Sequence, residues 1–265
     1  MKFRSYLTAI CLILLLSLNI FAADVGIIDA GGAYSDIDRI IEVVTALGHR
    51  ASTLPENSIA RPTGLTHYDC IVLAHRSGPL TESEYKALAE YVEDGGTLLL
   101  TGMAAYWMKS SGENNKKLKK IGGEGPLKDA AGVKIAGANE AAISKLKVLK
   151  QNSFCTGLAD VIEIKAISHD KKTPSYNVNN PASWRNSGAF PLKTITATTL
   201  IKVETVNEKG NASESDFLTV NYYGQGQCIR LACRIVPLIL DRKVKDLAML
   251  MDNILKFSET PDKKK

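Results

Sequence analysis

Long apolar runs are scarce in this 265-residue chain: one occurs, at the N-terminus, which excludes a membrane protein of many spans. Charge of one sign is not in excess. Lys and Arg number 33 against 28 Asp and Glu, and a net charge of +5 is too weak to argue for nucleic acid as a partner. Cysteine is sparse, five in all, and none stands in a Cys-x-x-Cys or Cys/His metal spacing, so no metal is expected. Histidine is rarer still, with four residues to supply any general base. There is no internal repeat, and no cofactor is expected. What is present is an ordinary globular composition, 45% hydrophobic and 23% charged, which excludes disorder and collagen-like structure. The length suffices for one large domain or two small ones.

The N-terminal run reads as a targeting signal. Residues Met1 to Arg4 make a short basic start, and 6–21 is apolar apart from Thr8, Ser17 and Asn19. Ala22 and Ala23 then offer small residues to a peptidase, completing the three-part pattern of a secretory signal peptide. A retained transmembrane anchor is the alternative, but it asks for roughly 20 apolar residues where this run has about 16. Cys11 follows Thr-Ala-Ile, unlike a lipoprotein cleavage box. Cleavage after Ala22 would start the mature chain at Ala23, secreted or periplasmic, with no stable membrane span left. Lys2 and Arg4 leave with the leader, so 33 basic residues less these two, against 28 acidic ones, give a net +3.

Export changes how the four remaining cysteines read. Cys70, Cys155, Cys228 and Cys233 could pair in three ways in an oxidising compartment. Cys228 and Cys233 are five apart in a strand-like segment, on opposite faces and roughly 16 Å apart at 3.3 Å per residue, beyond disulfide reach. Buried free thiols are the expected state, because a domain of this size needs no covalent staple.

Along the mature chain, strands alternate with amphipathic helices. Asp24 to Asp29 is a buried strand, and Ile37, Ile40, Ile41, Val44 and Leu47 then fall at helical spacing, with Ser35 as N-cap and Gly48 as stop. A short strand at His49 to Leu54 and an apolar one at Tyr68 to Ala74 follow. Thr81-Glu-Ser-Glu84 has the form of a capping box, and its helix turns Tyr85, Leu88, Ala89 and Val92 inward. Thr97 to Thr101 is the next strand, and Gly102 the turn that leaves it. This alternation indicates a parallel sheet covered on both faces. Beyond Met108 the pattern loosens. Lys116 to Lys120 reads as a solvated helix or loop, and Pro126 to Val133 as a short helix. From Thr198 order returns: two strands joined by the turn Glu208-Lys-Gly-Asn211, a third from Cys228 to Ile235, and a last helix over Val244 to Leu255.

Leu80 to Gly102 is the most telling stretch. A helix ending Tyr91-Val-Glu-Asp-Gly-Gly96, followed by Thr97-Leu-Leu-Leu-Thr-Gly102, resembles the class I glutamine amidotransferase-like superfamily. The likeness is greatest to its secreted, non-catalytic branches, such as the ThuA-like proteins and the trimerisation domain of some β-galactosidases. The opening Val25-Gly-Ile-Ile-Asp-Ala-Gly-Gly32 is similar to the start of the biotin–protein-ligase-N-terminal type. Tyr222-Tyr-Gly-Gln-Gly-Gln-Cys-Ile-Arg230 is similar to the strand pair that closes these domains. The resemblance covers about 24–108 and 196–257 and implies a flavodoxin-like three-layer α/β sandwich. It implies one domain over 23–258, closed by an antiparallel hairpin and a C-terminal helix. Residues 109–195 would be an insertion or cap over the sheet's C-terminal edge, and 259–265 a polar tail.

In catalytic members the strand matching Thr97–Thr101 ends in a sharp turn that carries a nucleophilic Cys. Here the turn reads Leu100-Thr-Gly-Met-Ala-Ala-Tyr106, with Gly102 or Met103 at the elbow, and no His follows the closing strands. Amidotransferase chemistry is therefore not expected. Ligands of an open parallel sheet gather at the C-terminal edge of its strands. That edge would assemble Asp29, Gly31 and Gly32, then His75, Arg76 and Ser77, then Gly102, Met103, Tyr106 and Trp107. A hydrolase acting on saccharides or peptides would use Ser77 as nucleophile, His75 as base and Asp29 as its orienter. Against this, residues two apart on a loop rarely hold that geometry, and the bland reading of His75 to Pro79 is an ordinary polar loop. Tyr106 and Trp107 could stack on a sugar or form the buried face of a following helix; Trp184 invites a similar choice.

The leading expectation is an exported, non-catalytic binding or assembly protein, with carbohydrate or another envelope protein as partner. The alternatives are the hydrolase and a purely oligomerising module.

Overall fold

The computed structural model describes residues 22–32, 36–60, 64–110, 117–122, 125–137, 141–164, 188–207 and 209–258. The leader up to residue 21, Ser35, Glu208, Trp184 and the tail from 259 lie outside them.

The apolar runs become the central strands. β1 (Asp24–Asp29), β2 (Arg50–Pro55), β3 (Cys70–Leu73) and β4 (Thr97–Thr101) lie parallel in the order β2-β1-β3-β4, with Asp24 beside Arg50, Val25 beside Cys70, and Cys70 beside Thr97. Every residue of β3 and β4 is buried, as a strand covered on both faces requires. Each fully buried Leu, Ile or Val side chain contributes about 1.5–3 kcal/mol over its exposed state, so these short runs carry much of the core.

Three helices belong to this half. α1 (Ile37–Ala46) buries Ile37, Ile40, Val43 and Val44. Its N-cap is Asp36, whose carboxylate makes no capping bond and is engaged elsewhere. α2 (Glu56–Ile59) is a single turn. α3 (Glu82–Glu93) begins with the expected capping box: the Thr81 N–H donates to Glu84 Oε2 at 2.7 Å, and the Glu84 N–H to Thr81 Oγ1 at 3.4 Å.

After the first half come β5 (Trp107–Lys109), β6 (Leu118–Lys120), α4 (Lys128–Ala131), β7 (Val133–Ile135), β8 (Ala141–Val148), β9 (Val161–Glu163), β10 (Gly188–Ala189) and β11 (Leu192–Thr194). β12 (Thr198–Val206), β13 (Ala212–Tyr223), β14 (Gly226–Leu231), α5 (Ile235–Leu240) and α6 (Lys245–Ser258) complete the described chain. β14 joins β4 in parallel, then β13 and β12 follow antiparallel, so the closing hairpins complete a mixed α/β sheet of twelve strands. The described strands of 109–195 are mostly sheet rather than cover. β8 pairs with β12 and carries β9 and β10, while β7 pairs with β11 and β11 with β13.

Helices α1, α5 and α6 pack as one layer, and α2, α3 and α4 as another. Alternate residues of β14 reach opposite layers: Gln227 donates to the Phe257 carbonyl of α6, whereas Arg230 points to the side of Tyr85 on α3.

Two expectations are corrected. The described part of the basic run is strand, not helix or loop: Leu118–Lys120 is the exposed half of a two-stranded ribbon with β5. Tyr106 and Trp107 do not open a helix either: Trp107 starts strand β5 and stands 41% exposed, while Tyr106 is buried. The four cysteines of the described residues are all buried, and none is joined in a disulfide.

Candidate functional site

The carboxyl ends of β1, β3, β4 and β14 meet at one point. The loop after β3 is fastened to the turn after β1 by the Ala30 and Gly32 N–H groups, which donate to the Ser77 carbonyl at 2.9 and 3.1 Å. The approach is close: a Cβ on Gly32 would stand 1.8 Å from the Arg76 carbonyl oxygen. Asp29, exposed at the end of β1, accepts the Gly31 N–H at 2.9 Å and so shapes its own turn.

His75 is the hub. It is buried; its N–H donates to Thr101 Oγ1 at 3.0 Å, and its Nδ1 accepts the Met103 N–H at 3.1 Å. Accepting at Nδ1 places the proton of the neutral ring on Nε2. Burial holds the imidazole well below its usual titration range, and the charges of Arg234, Arg76 and Arg230 push the same way. The ring stacks on Phe190, with centroids 5.7 Å apart. Gly102, with a φ of +54°, packs directly against it.

Beneath the turn lies Arg230, fully buried. Its Nη2 donates to the carbonyls of Gly102 and Ala104, both at 2.8 Å, and so grips the turn from the sheet side. Burial lowers its pKa to about 10, which leaves it cationic at neutral pH. A second arginine at this edge, Arg234, forms a buried pair with Asp36: Nε donates to Oδ2 at 2.7 Å, and Nη2 to Oδ1. Asp36 thus ties the start of α1 to the end of β14 instead of capping its helix.

Eight of the ten sequence candidates lie together here: Asp29, Gly31, Gly32, His75, Arg76, Ser77, Gly102 and Met103. Tyr106 is one turn further on and buried. Trp107 belongs to the separate ribbon, its ring edge-on to Tyr106 at 5.4 Å. Sequence reasoning missed Arg230, Arg234, Asp36 and Phe190. Arg230 left one trace, a lone charge inside Gln227-Cys-Ile-Arg-Leu-Ala232.

The arrangement carries no nucleophile at the elbow. The residue after an elbow nucleophile supplies an oxyanion N–H in this kind of turn; the Met103 N–H is spent on His75. Ser77 Oγ is buried and makes no hydrogen bond, so no Ser77–His75 dyad exists. Among the described residues no group of three His, Cys, Asp or Glu could hold a metal ion.

Among the described residues, a concavity lies on the face of the ribbon. A cleft of about 480 Å³ is lined by Glu82, Lys86, Met108, Lys119, Lys120, Ile121, Gly125 and Pro126. Lys86 pairs with Glu82 at 2.8 Å, and Lys120 Nζ lies 5.0 Å from the centre of the Tyr106 ring. Trp107 pairs with Lys120 across the ribbon but is not among the residues that line the cleft.

No protein-family model matches the chain, and no curated protein is significantly similar in sequence. Solved structures share its fold. A ThuA-like protein from Bacteroides uniformis aligns with a TM-score of 0.53 and 12% identity over 87% of this chain and 89% of that one. A protein described as a GMP synthase subunit, from Thermoplasma acidophilum, gives 0.52 and 13% over 90% and 94%. A β-galactosidase from Bacillus circulans gives 0.51 and 13% over 84% of this chain, which spans 31% of the galactosidase. The likeness is of fold alone.

Proposed function

We propose that this protein is an exported, non-catalytic binding protein on an amidotransferase-like scaffold, and that it takes a saccharide on the ribbon face. The observation that carries the reading is the contrast between its two candidate surfaces. The elbow is filled by its own contacts: His75 against Met103, Arg230 against Gly102 and Ala104, Gly32 against Arg76. The ribbon carries Met108, Ile121 and Pro126 along a cleft of a size suited to a small ligand, with lysines at the rim, and the same ribbon presents the exposed indole of Trp107. An indole offers a flat apolar face to the C–H surface of a sugar ring, and lysines favour a sugar bearing carboxylates. The N-terminal leader supports export.

Titration calorimetry of residues 23–265 against acidic oligosaccharides such as uronate trimers, with neutral hexose trimers in parallel, tests this. Binding of the acidic set, weakened about tenfold by Trp107→Ala through loss of roughly 1–1.5 kcal/mol of ring contact, is expected. Failure of both sets to bind, or binding indifferent to Trp107→Ala, overturns the saccharide reading. Recovery of the full chain from Met1 in carbonate-washed membranes overturns export.

A further inference from the structure

His49 has no part in the elbow or the ribbon, yet it is buried and bonded at both ring nitrogens. Its Nδ1 accepts the main-chain N–H of Ala23 at 3.0 Å. Its Nε2 meets Asp252 Oδ1 of α6 at 3.1 Å, and the other oxygen of Asp252 accepts from Lys256 at 2.6 Å. With Nδ1 as acceptor, the Nε2 proton points at the carboxylate. A nitrogen, an imidazole and a carboxylate are therefore lined up in that order, spanning the start of the chain and its last helix. Ala23 is fully buried and lies at the foot of β1, fixed on its other side by the Arg50 N–H, which donates to the Ala23 carbonyl at 3.0 Å.

Ala23 is also the residue at which the leader reading starts the mature chain. We infer that His49 and Asp252 form a receptor for the protein's own α-ammonium group, created when residues 1–22 are removed. Hydrolysis of the Ala22–Ala23 peptide bond adds one water: the carboxylate stays on Ala22, and Ala23 keeps the nitrogen, which takes up a proton to become an ammonium. That cation stands where an amide N–H stood, with one of its hydrogens on His49 Nδ1. Ala22, half-buried in the uncleaved chain, no longer covers it, so water reaches its other hydrogens. The hydrogen bond changes from neutral to charge-assisted, and the Asp252 carboxylate beyond the ring is the counter-charge. Cleavage thereby strengthens the joint between β1 and α6. The inference rests on the leader being cut after Ala22, a part of the proposed function independent of the saccharide.

The test uses residues 23–265 produced with Ala23 as the true first residue, verified by intact mass. Three comparisons isolate the contact: the same chain extended by Gly-Ser, the His49→Gln variant, and Asp252→Asn, which keeps the imidazole. The α-amine of the wild-type chain is expected to react with an N-hydroxysuccinimide ester about tenfold more slowly than that of Asp252→Asn, because the counter-charge beyond the ring holds the ammonium in its hydrogen bond. The Gly-Ser extension, which restores an amide at Ala23, is expected to lower the melting temperature. Equal acylation rates in wild type and Asp252→Asn, or no change in melting temperature with the extension, overturn the inference. If His49→Gln fails to fold, Asp252→Asn and the extension still decide it. N-terminal sequencing of the exported protein tests the cleavage position separately: a start at Ala23 is expected, and any other start overturns the inference while leaving the saccharide reading untouched.

Discussion

Replacing Gly102 with Ala probes the sealed elbow most directly. Gly102 has a φ of +54°, in the left-handed region where a residue with a Cβ is destabilised by about 1–2 kcal/mol. The new Cβ would also stand 2.5 Å from His75 Nδ1, closer than real side chains come, with His75 Cβ at 3.1 Å. His75 must retreat, and the Met103 N–H then loses its acceptor inside the protein, at a cost of about 1–3 kcal/mol. Together these amount to about 2–5 kcal/mol, a large share of the roughly 5–15 kcal/mol that holds a domain folded. At about 2–4 °C per kcal/mol for a chain of this size, the melting temperature should fall by about 4–20 °C. Gly31→Ala is the internal control, because Gly31 has a φ of +68° with nothing within 4 Å of its added Cβ, so it reports backbone strain alone. Urea unfolding of residues 23–265 at constant slope measures both. If Gly102→Ala destabilises no more than Gly31→Ala, the His75–Met103 contact carries nothing and the account of the elbow is wrong.

Asp36→Asn removes the carboxylate charge that Arg234 Nε and Nη2 share in a buried site, so urea unfolding should show a loss of about 3–5 kcal/mol; a change under about 1 kcal/mol would mean that the pair contributes little to folding. His75 is neutral when folded and protonates at its ordinary pKa, about 6.5, when unfolded. Below that pH the unfolded state holds the extra proton, so stability from this group is intact above about pH 6.5 and falls as pH drops toward the lower folded value. His75→Phe should flatten that part of the stability–pH curve, and identical curves for the two proteins would refute the assignment. Gly102→Cys should release no ammonia from glutamine, because its Cβ collides with His75 as that of Gly102→Ala does, so the substitution that adds the thiol drives the neighbouring base out of line; turnover above the buffer blank would show that the elbow rearranges into a working pair.

The fold lies mainly in local pattern. β1, β3 and β4 are apolar runs too short for helices, and burial on both faces makes a strand read the same whatever its neighbours. The capping box of α3 needs only Thr81 and Glu84, three residues apart. The parallel half of the sheet, the closing hairpins and the convergence of Asp29, His75 and Gly102 at one edge follow from such signals, since strand ends in a parallel sheet share an edge. Partnership across the chain is not local. Leu118–Lys120 is a strand because Trp107–Lys109 offers it a backbone to pair with, and a run of lysines carries no period that says so. Whether Trp107 was core or surface depended on its opening a strand of the ribbon rather than a helix. His75 looked like a free polar loop residue; Met103, 28 positions away, and Arg230, from another strand, make it a buried neutral ring. Asp36 and Arg234 find each other across 198 positions. Each of these side chains was set by desolvation, which only the packed tertiary structure imposes, and by the single partner within reach once water was gone.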